Sequence, residues 1–196
     1  MSANMRLNSL SSYNMSLVNK KIAEIKLSKA TVDIYRDRIS DESLTGVVAD
    51  FNKEFLVLSL LTEEGKSDGI SVIYRGDITR IQTGGNTRTS IADLSKFYST
   101  NVKVPKINLT SIDHILSSIQ SEYGYVNIHT EALDDEVCFI GKILEQDDEW
   151  VSLKGYGTMD SRDTNELLLD KEEISRVDAG ALYEESIKYL VEQADE

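Results

Sequence analysis

The sequence is poor in residues that cross-link the chain, bend it or bind metals: its 196 residues include one proline, one cysteine and two histidines. The single cysteine, Cys138, excludes an internal disulfide and fits a reducing, cytoplasmic setting. No stretch approaches about eighteen consecutive apolar residues, so the sequence predicts no membrane-spanning helix. Because 40% of the residues are hydrophobic and proline is scarce, we expect a packed core rather than a disordered chain.

The sequence also lacks the patterns of side chains that catalysis and cofactor binding require. Neither His114 nor His129 belongs to a spaced set of histidines and cysteines, so zinc would have no ligands. The glycines of residues 83–90 are not followed by the Lys-Ser/Thr of a phosphate-binding loop. The acids of residues 145–150 lack the spacing of a calcium loop. We therefore predict a protein that is not an enzyme and that holds no metal or cofactor.

Negative charge is abundant, but it is concentrated toward the C-terminus. Residues 1–129 carry 15 Lys and Arg against 14 Asp and Glu, whereas residues 130–196 carry 6 against 20. A strongly negative surface repels nucleic acid phosphates and attracts basic partners, although it also simply keeps a protein in solution. The imbalance favours a basic protein partner and disfavours RNA.

The strongest signal in the sequence is an internal repeat. The stretch "VIYRGDITRI" (72–81) is echoed by "LLDKEEISRV" (168–177), at an offset of 96 residues. Upstream, "GVVADFNKEFLVLSLL" (46–61) matches "GKILEQDDEWVSLKGY" (141–156) at an offset of 95. Small changes of offset are what loop insertions produce between corresponding elements. The sequence therefore predicts two copies of one unit.

Each copy has the pattern of a helix, about five short strands and a second helix. Apolar residues three and four apart predict the helices, and short apolar runs between turn signals predict the strands. The predicted strands are 31–36, 43–51, 54–61, 69–75 and 78–82, and then 125–129, 136–145, 149–154, 165–169 and 174–178. Arg80 and Arg176, which match in the repeat, are interpreted either as ligand contacts or as strand-end arginines paired with a nearby acid.

The repeat also sets the domain boundaries. Residues 1–13 are predicted to be a flexible leader, 14–98 the first half, 99–109 a linker with the only proline, and 110–194 the acidic second half. Short, closely spaced strands predict a small antiparallel barrel in each half. The expected fold is thus mainly β with flanking helices, as two tandem five-stranded antiparallel barrels.

The first half resembles the Sm-like (LSm) family of SH3-like small barrels. "LTGVVADFNKEFLVLSL" (44–60) is similar to the first Sm signature, and "ISVIYRGDITRI" (70–81) to the second, with its Arg-Gly pair. The resemblance covers about 65 residues of each half. It implies two Sm-like units that assemble through their edge strands.

The same resemblance implies an RNA site, which the sequence keeps only in part. The family holds uridine-rich RNA with a polar turn residue, an asparagine and the Arg-Gly pair. Here the polar turn residue is Asn52, the asparagine position is Leu56, and Arg75 and Gly76 are present. In the second half the four positions hold Asp147, Val151, Lys171 and Glu172.

The run "FLVLSLL" (55–61) is the best candidate for a protein interface. Alternation along the strand places Leu56 and Leu58 inside the first barrel, and Phe55, Val57 and Leu61 on its other face. Three apolar side chains on an outer face need cover. The cover is either the leading helix of the same half, the other half, another chain or a partner.

These observations predict a non-catalytic intracellular adaptor or assembly subunit. It would bind a protein partner, or a further copy of itself, through barrel edges, the apolar face and the acidic second half. An alternative is a diverged Sm-like RNA-binding protein with Asn52, Phe55 and Arg75 as contacts. A further alternative is an acidic mimic of nucleic acid.

Overall fold

The first half begins with a helix, continues through five strands and ends with a second helix. A computed structural model of the protein describes residues 16–100, 104–161 and 163–194. Helix α1 spans Leu17–Ser28 and α2 spans Asn86–Phe97. Between them lie β1 (Thr31–Tyr35), β2 (Ser43–Phe51), β3 (Phe55–Leu61), β4 (Ser67–Tyr74), a 3-10 turn (Arg75–Asp77) and β5 (Arg80–Thr83).

The second half repeats this order of elements. Helix α3 spans Ile112–Tyr123 and α4 spans Leu182–Ala194. The strands are β6 (Val126–His129), β7 (Cys138–Gln146), β8 (Trp150–Gly155), β9 (Asn165–Asp170) and, after a 3-10 turn (Lys171–Glu173), β10 (Arg176–Ala179). All ten strands lie within two residues of the predicted ranges.

The strands form one open antiparallel sheet rather than two closed barrels. Its order is β5-β1-β2-β3-β4-β10-β6-β7-β8-β9, so each half contributes five neighbouring strands in the same relative order. The mainly β fold with flanking helices is confirmed. The prediction of two separate closed barrels is not met, because β4 of the first half pairs with β10 of the second.

Two local features recur at matching places and show why the repeat keeps its glycines. A Cβ atom on Gly46 would lie 2.1 Å from the Ser59 carbonyl oxygen, and one on Gly141 would lie 2.5 Å from that of Lys154. Only glycine permits this close approach of neighbouring strands. Each glycine is followed by a bulge, between Val48 and Asp50 and between Ile143 and Glu145.

Among the described residues, the buried side chains form two clusters of unequal size. The smaller lies within the first half and includes Ile22 of α1 with Leu56 and Leu58 of β3. The larger belongs mainly to the second half, and it also takes in Phe55 and Val57 from the opposite face of β3. The face of β3 that carries Phe55 and Val57 is thus packed against the second half.

The predicted leader, residues 1–13, lies outside the described residues. Where the structure is described, no helix combines the length and the apolar character needed to cross a membrane.

Candidate functional site: the junction of the halves and the free sheet edges

The two halves are joined by a strand pair at the centre of the sheet. Ile73 lies opposite Arg176, Val72 opposite Val177 and Ser71 opposite Asp178. Val72 and Val177 are 2% and 1% exposed, and both belong to the larger core cluster.

A buried ion pair crosses the same junction. Arg36, in the loop after β1, is fully buried and donates to both carboxylate oxygens of Glu131, in the loop after β6; the Nη2 to Oε1 distance is 2.8 Å. Arg176 lies 3.5 Å from the same carboxylate, and Ser175 donates to it across 2.8 Å. Burial alone would raise the pKa of Glu131, but the hydrogen bond from Arg36 and the charge of Arg176 hold it below its ordinary value. These contacts tie the loops of the two halves together.

The first half carries the same constellation on its free edge. Asp37 accepts from Thr79 and pairs with Arg80 across 3.0 Å, as Glu131 does with Ser175 and Arg176. The Arg80 guanidinium stacks 3.8 Å over the ring of Tyr35. Here, however, the pair is open to solvent, with Arg80 56% and Asp37 48% exposed. The repeated Ile-Ser/Thr-Arg motif therefore builds an acid–arginine pair, which is buried at the junction and exposed at the edge.

Arg80 and Arg176 were open to interpretation as ligand contacts or as strand-end arginines paired with an acid, and the structure places both in ion pairs. Arg176 also lies 3.0 Å from Nδ1 of His129, which occupies the position of Tyr35 in the repeat.

The Arg-Gly element fastens a hairpin turn to the leading helix. Arg75 donates to the carbonyl oxygen of Asn52 and, across 2.6 Å, to the side chain of Asn19 on α1. In the second half Lys171 donates in the same way to the carbonyl oxygen of Asp147 and to Asp113 on α3. The two halves thus use different cations for the same contact.

Of the residues predicted for RNA, Asn52, Phe55 and Arg75 serve internal contacts. The side-chain oxygen of Asn52 accepts from the amides of Glu54 and Phe55, both at 2.7 Å. Phe55 is 4% exposed, so its ring offers no stacking surface to a base. Gly76 lies in the 3-10 turn after β4.

The predicted interface residues Phe55, Val57 and Leu61 are likewise buried, at 4%, 1% and 6% exposure. Phe55 and Val57 belong to the larger core cluster, together with α3 and the end of the linker. Phe55 and Val57 form an interface between the halves. All three side chains are buried, so the folded chain does not offer them to a separate partner.

The surfaces left open to pairing are the two edges of the sheet. In the described part of the chain, β5 and β9 each have a single neighbour. Leu168 in the middle of β9 is 64% exposed, although it corresponds in the repeat to the buried Val72 of β4. An exposed strand edge with an apolar centre is a template for a further strand.

A buried carboxyl that no sequence pattern indicated lies in the first turn of α4. Glu184 is 3% exposed and accepts from Asn127 at 2.8 Å, from Tyr125 at 3.2 Å and from the amide of Ala181 at 3.1 Å. Burial, and then the charge of Asp178, raise the pKa of Glu184 to about 7 despite these hydrogen bonds. In the sequence, Glu184 is one acid among many near a helix start, which gives no sign of burial.

Comparison of the chain with family models, with curated proteins and with solved structures finds no match.

Proposed function

We propose that the protein is a non-catalytic assembly subunit whose chains add edge to edge, with β9 of one chain pairing with β5 of the next. The observation that carries this proposal is the β4–β10 pairing inside the chain. In the repeat, β9 is the counterpart of β4, and β5 is the counterpart of β10. The chain already contains one such junction, and it keeps one free copy of each partner strand at its two ends.

The internal junction supplies a register for the pairing between chains. Val72 lies opposite Val177, so the repeat offsets place Leu168 of one chain opposite Ile81 of the next. Ile73 lies opposite Arg176, which places Leu169 opposite Arg80. Pairing in this register would cover the exposed Leu168 and would continue the sheet from one chain into the next.

Charge complements the same arrangement. The acidic second half supplies β9, with Glu166 and Asp170, while the near-neutral first half supplies β5. Lys20, Lys21 and Lys26 lie on the leading helix of that first half. Attraction between the acidic half and these lysines favours a head-to-tail contact over contacts between like halves, and it weakens with salt.

The family resemblance is consistent with this proposal. Each half places its strands in the order last, first, second, third, fourth, and we propose that each is a diverged Sm-like unit. We further propose that the acidic outer surface of the second half stays uncovered and takes a basic protein partner. RNA binding forms no part of the proposal, because Asn52, Phe55 and Arg75 serve internal contacts.

Disulfide trapping tests the predicted register. Two single variants, Leu168→Cys and Ile81→Cys, would be made in a Cys138→Ser background, mixed and oxidised. We expect a covalent dimer, because Cα atoms of directly opposed residues in antiparallel strands lie roughly 4.5–5.5 Å apart, within disulfide range. The off-register pair, Leu168→Cys with Thr83→Cys, is the matched control and should cross-link far less.

A substitution on the β9 edge tests the same proposal without cross-linking. Leu168→Lys should abolish association in sedimentation or light scattering, because a lysine at the centre of an edge strand blocks pairing. Leu133→Lys changes a similarly exposed leucine, 68% against 64%, in the loop between β6 and β7, and should leave the mass unchanged. A wild-type chain that remains monomeric at millimolar concentration would contradict the proposal.

A further inference from the structure

The end of the linker packs against the first half beside the turn between β2 and β3. Ile107 and Leu109 are 7% and 8% exposed and belong to the same cluster as Phe55 and Val57. The Asn52 side-chain amide donates to the Leu109 carbonyl oxygen across 2.5 Å. The short segment before α3 is therefore part of the internal junction, alongside the β4–β10 pair.

The corresponding place in the second half is an open groove, which we call the Trp150 groove. It has a volume of about 180 Å³ and is lined by Glu145, Gln146, Asp147, Trp150, Ser152 and Leu168. At the repeat offsets these six positions match Asp50, Phe51, Asn52, Phe55, Val57 and Val72. The groove is thus the uncovered counterpart of the surface that surrounds the linker segment.

Burial differs sharply between the two places. Phe55 and Val72 are 4% and 2% exposed, whereas Trp150 and Leu168 are 39% and 64% exposed. Large apolar side chains exposed in a groove are the usual marks of a docking site.

The sequence contains one counterpart of the linker segment. "INLT" (107–110) precedes α3, and "YNMS" (13–16) precedes α1 at an offset of 94 residues. In the alignment of the two sequence repeats, Tyr13 matches Ile107, Met15 matches Leu109 and Asn14 matches Asn108. Both segments combine two apolar side chains around an asparagine immediately before a helix.

We propose that the Trp150 groove binds the Tyr13–Met15 segment of another copy of this chain. At the internal junction, the docking segment belongs to the half that supplies β10 to β4. By the same rule, the segment for the Trp150 groove comes from the half that supplies β5 to β9, and that half lies in another chain. The inference therefore rests on the proposed edge-to-edge function, and it adds a second, separable contact to that interface.

One difference between the two places gives the inference a distinctive test. Asp147 keeps the turn-forming contacts of Asn52, since its carboxylate accepts from the amides of Glu149 and Trp150 at 2.9 and 2.7 Å. A carboxylate cannot donate to a segment's carbonyl oxygen as the Asn52 amide does. Asp147→Asn should restore that donor and tighten binding about fivefold, the effect of one typical hydrogen bond.

The experiment uses Trp150, the only tryptophan in the chain, as its reporter. A full-length Tyr13→Ser/Met15→Ser acceptor is titrated with a peptide of residues 10–20, and Trp150 emission is followed. We expect the emission to shift to the blue and to saturate as peptide is added. The acceptor that also carries Asp147→Asn should reach saturation at a lower peptide concentration. A peptide of residues 104–113, which contains the linker segment, should give the same shift. The peptide with Tyr13→Ser and Met15→Ser should give none.

Each result bears on one contact alone. An unchanged emission spectrum with the Asp147→Asn acceptor, or an equal shift from the doubly substituted peptide, would overturn the groove proposal even if the Leu168–Ile81 cross-link forms. Peptide binding without that cross-link would support the groove and contradict the edge pairing.

Discussion

Replacing Glu131 with glutamine is expected to lower the free energy of unfolding by about 3–5 kcal/mol. The substitution would leave Arg36, which is fully buried, without the carboxylate that accepts both of its Nη donors. A buried guanidinium cannot lose its proton, so an amide in place of its counter-ion leaves an uncompensated charge. Chemical denaturation followed by circular dichroism measures the loss.

Removal of the other partner should cost less, and this asymmetry is the control. In Arg36→Met, Glu131 keeps Arg176 at 3.5 Å and the hydroxyl of Ser175. The double variant Arg36→Met/Glu131→Leu removes both charges and should recover much of the stability lost in Glu131→Gln. Equal losses of stability in the two single variants, or no recovery in the double variant, would contradict this explanation. It holds that Arg36 needs Glu131 more than Glu131 needs Arg36.

The second large effect is a loss of stability as the pH rises toward neutrality. The pKa of Glu184 is about 7 in the folded protein, against an ordinary value of 4.5, so the folded state binds its proton more tightly than the unfolded state. The contribution is complete below about pH 4.5 and disappears as the pH passes 7. A difference of this size corresponds to about 3 kcal/mol. Unfolding free energies measured from pH 5 to pH 8 test the slope.

Glu184→Gln isolates this contribution because glutamine stays neutral throughout. Its stability should change less with pH, and it should exceed that of the wild type at pH 8. Glu185→Gln is the matched control: the neighbouring carboxylate also accepts from Tyr125, at 2.9 Å, but it is exposed. Parallel pH profiles for wild type and Glu184→Gln would show that Glu184 is ionised when buried.

The repeat made the local fold predictable, since matching glycines, turns and apolar strands determine elements within each half. It did not reveal how the halves meet. The β4–β10 pair joins strands about 100 residues apart, and β4 has the same apolar pattern whether its edge is paired or free. The same sequence pattern is therefore compatible with two separate barrels and with one continuous sheet.

Candidate residues were predictable to different degrees for a similar reason. The alternation in β3 correctly separated two apolar faces, and the second face is filled by the other half. The burial of Arg36 was not predictable, because it sits in a polar loop and its partner is 95 residues away. Glu184 shows the same limit, since desolvation depends on packing that no local pattern encodes.

The buried Arg36–Glu131 pair has no equivalent where one chain would meet the next. At the repeat offset, the position of Arg36 is held by Thr130, which carries no charge, and that of Glu131 by Asp37. The interface between molecules would thus lack the buried ion pair that joins the two halves within each molecule. A polymer of this chain should accordingly come apart on dilution into intact protomers, long before any protomer separates into its halves.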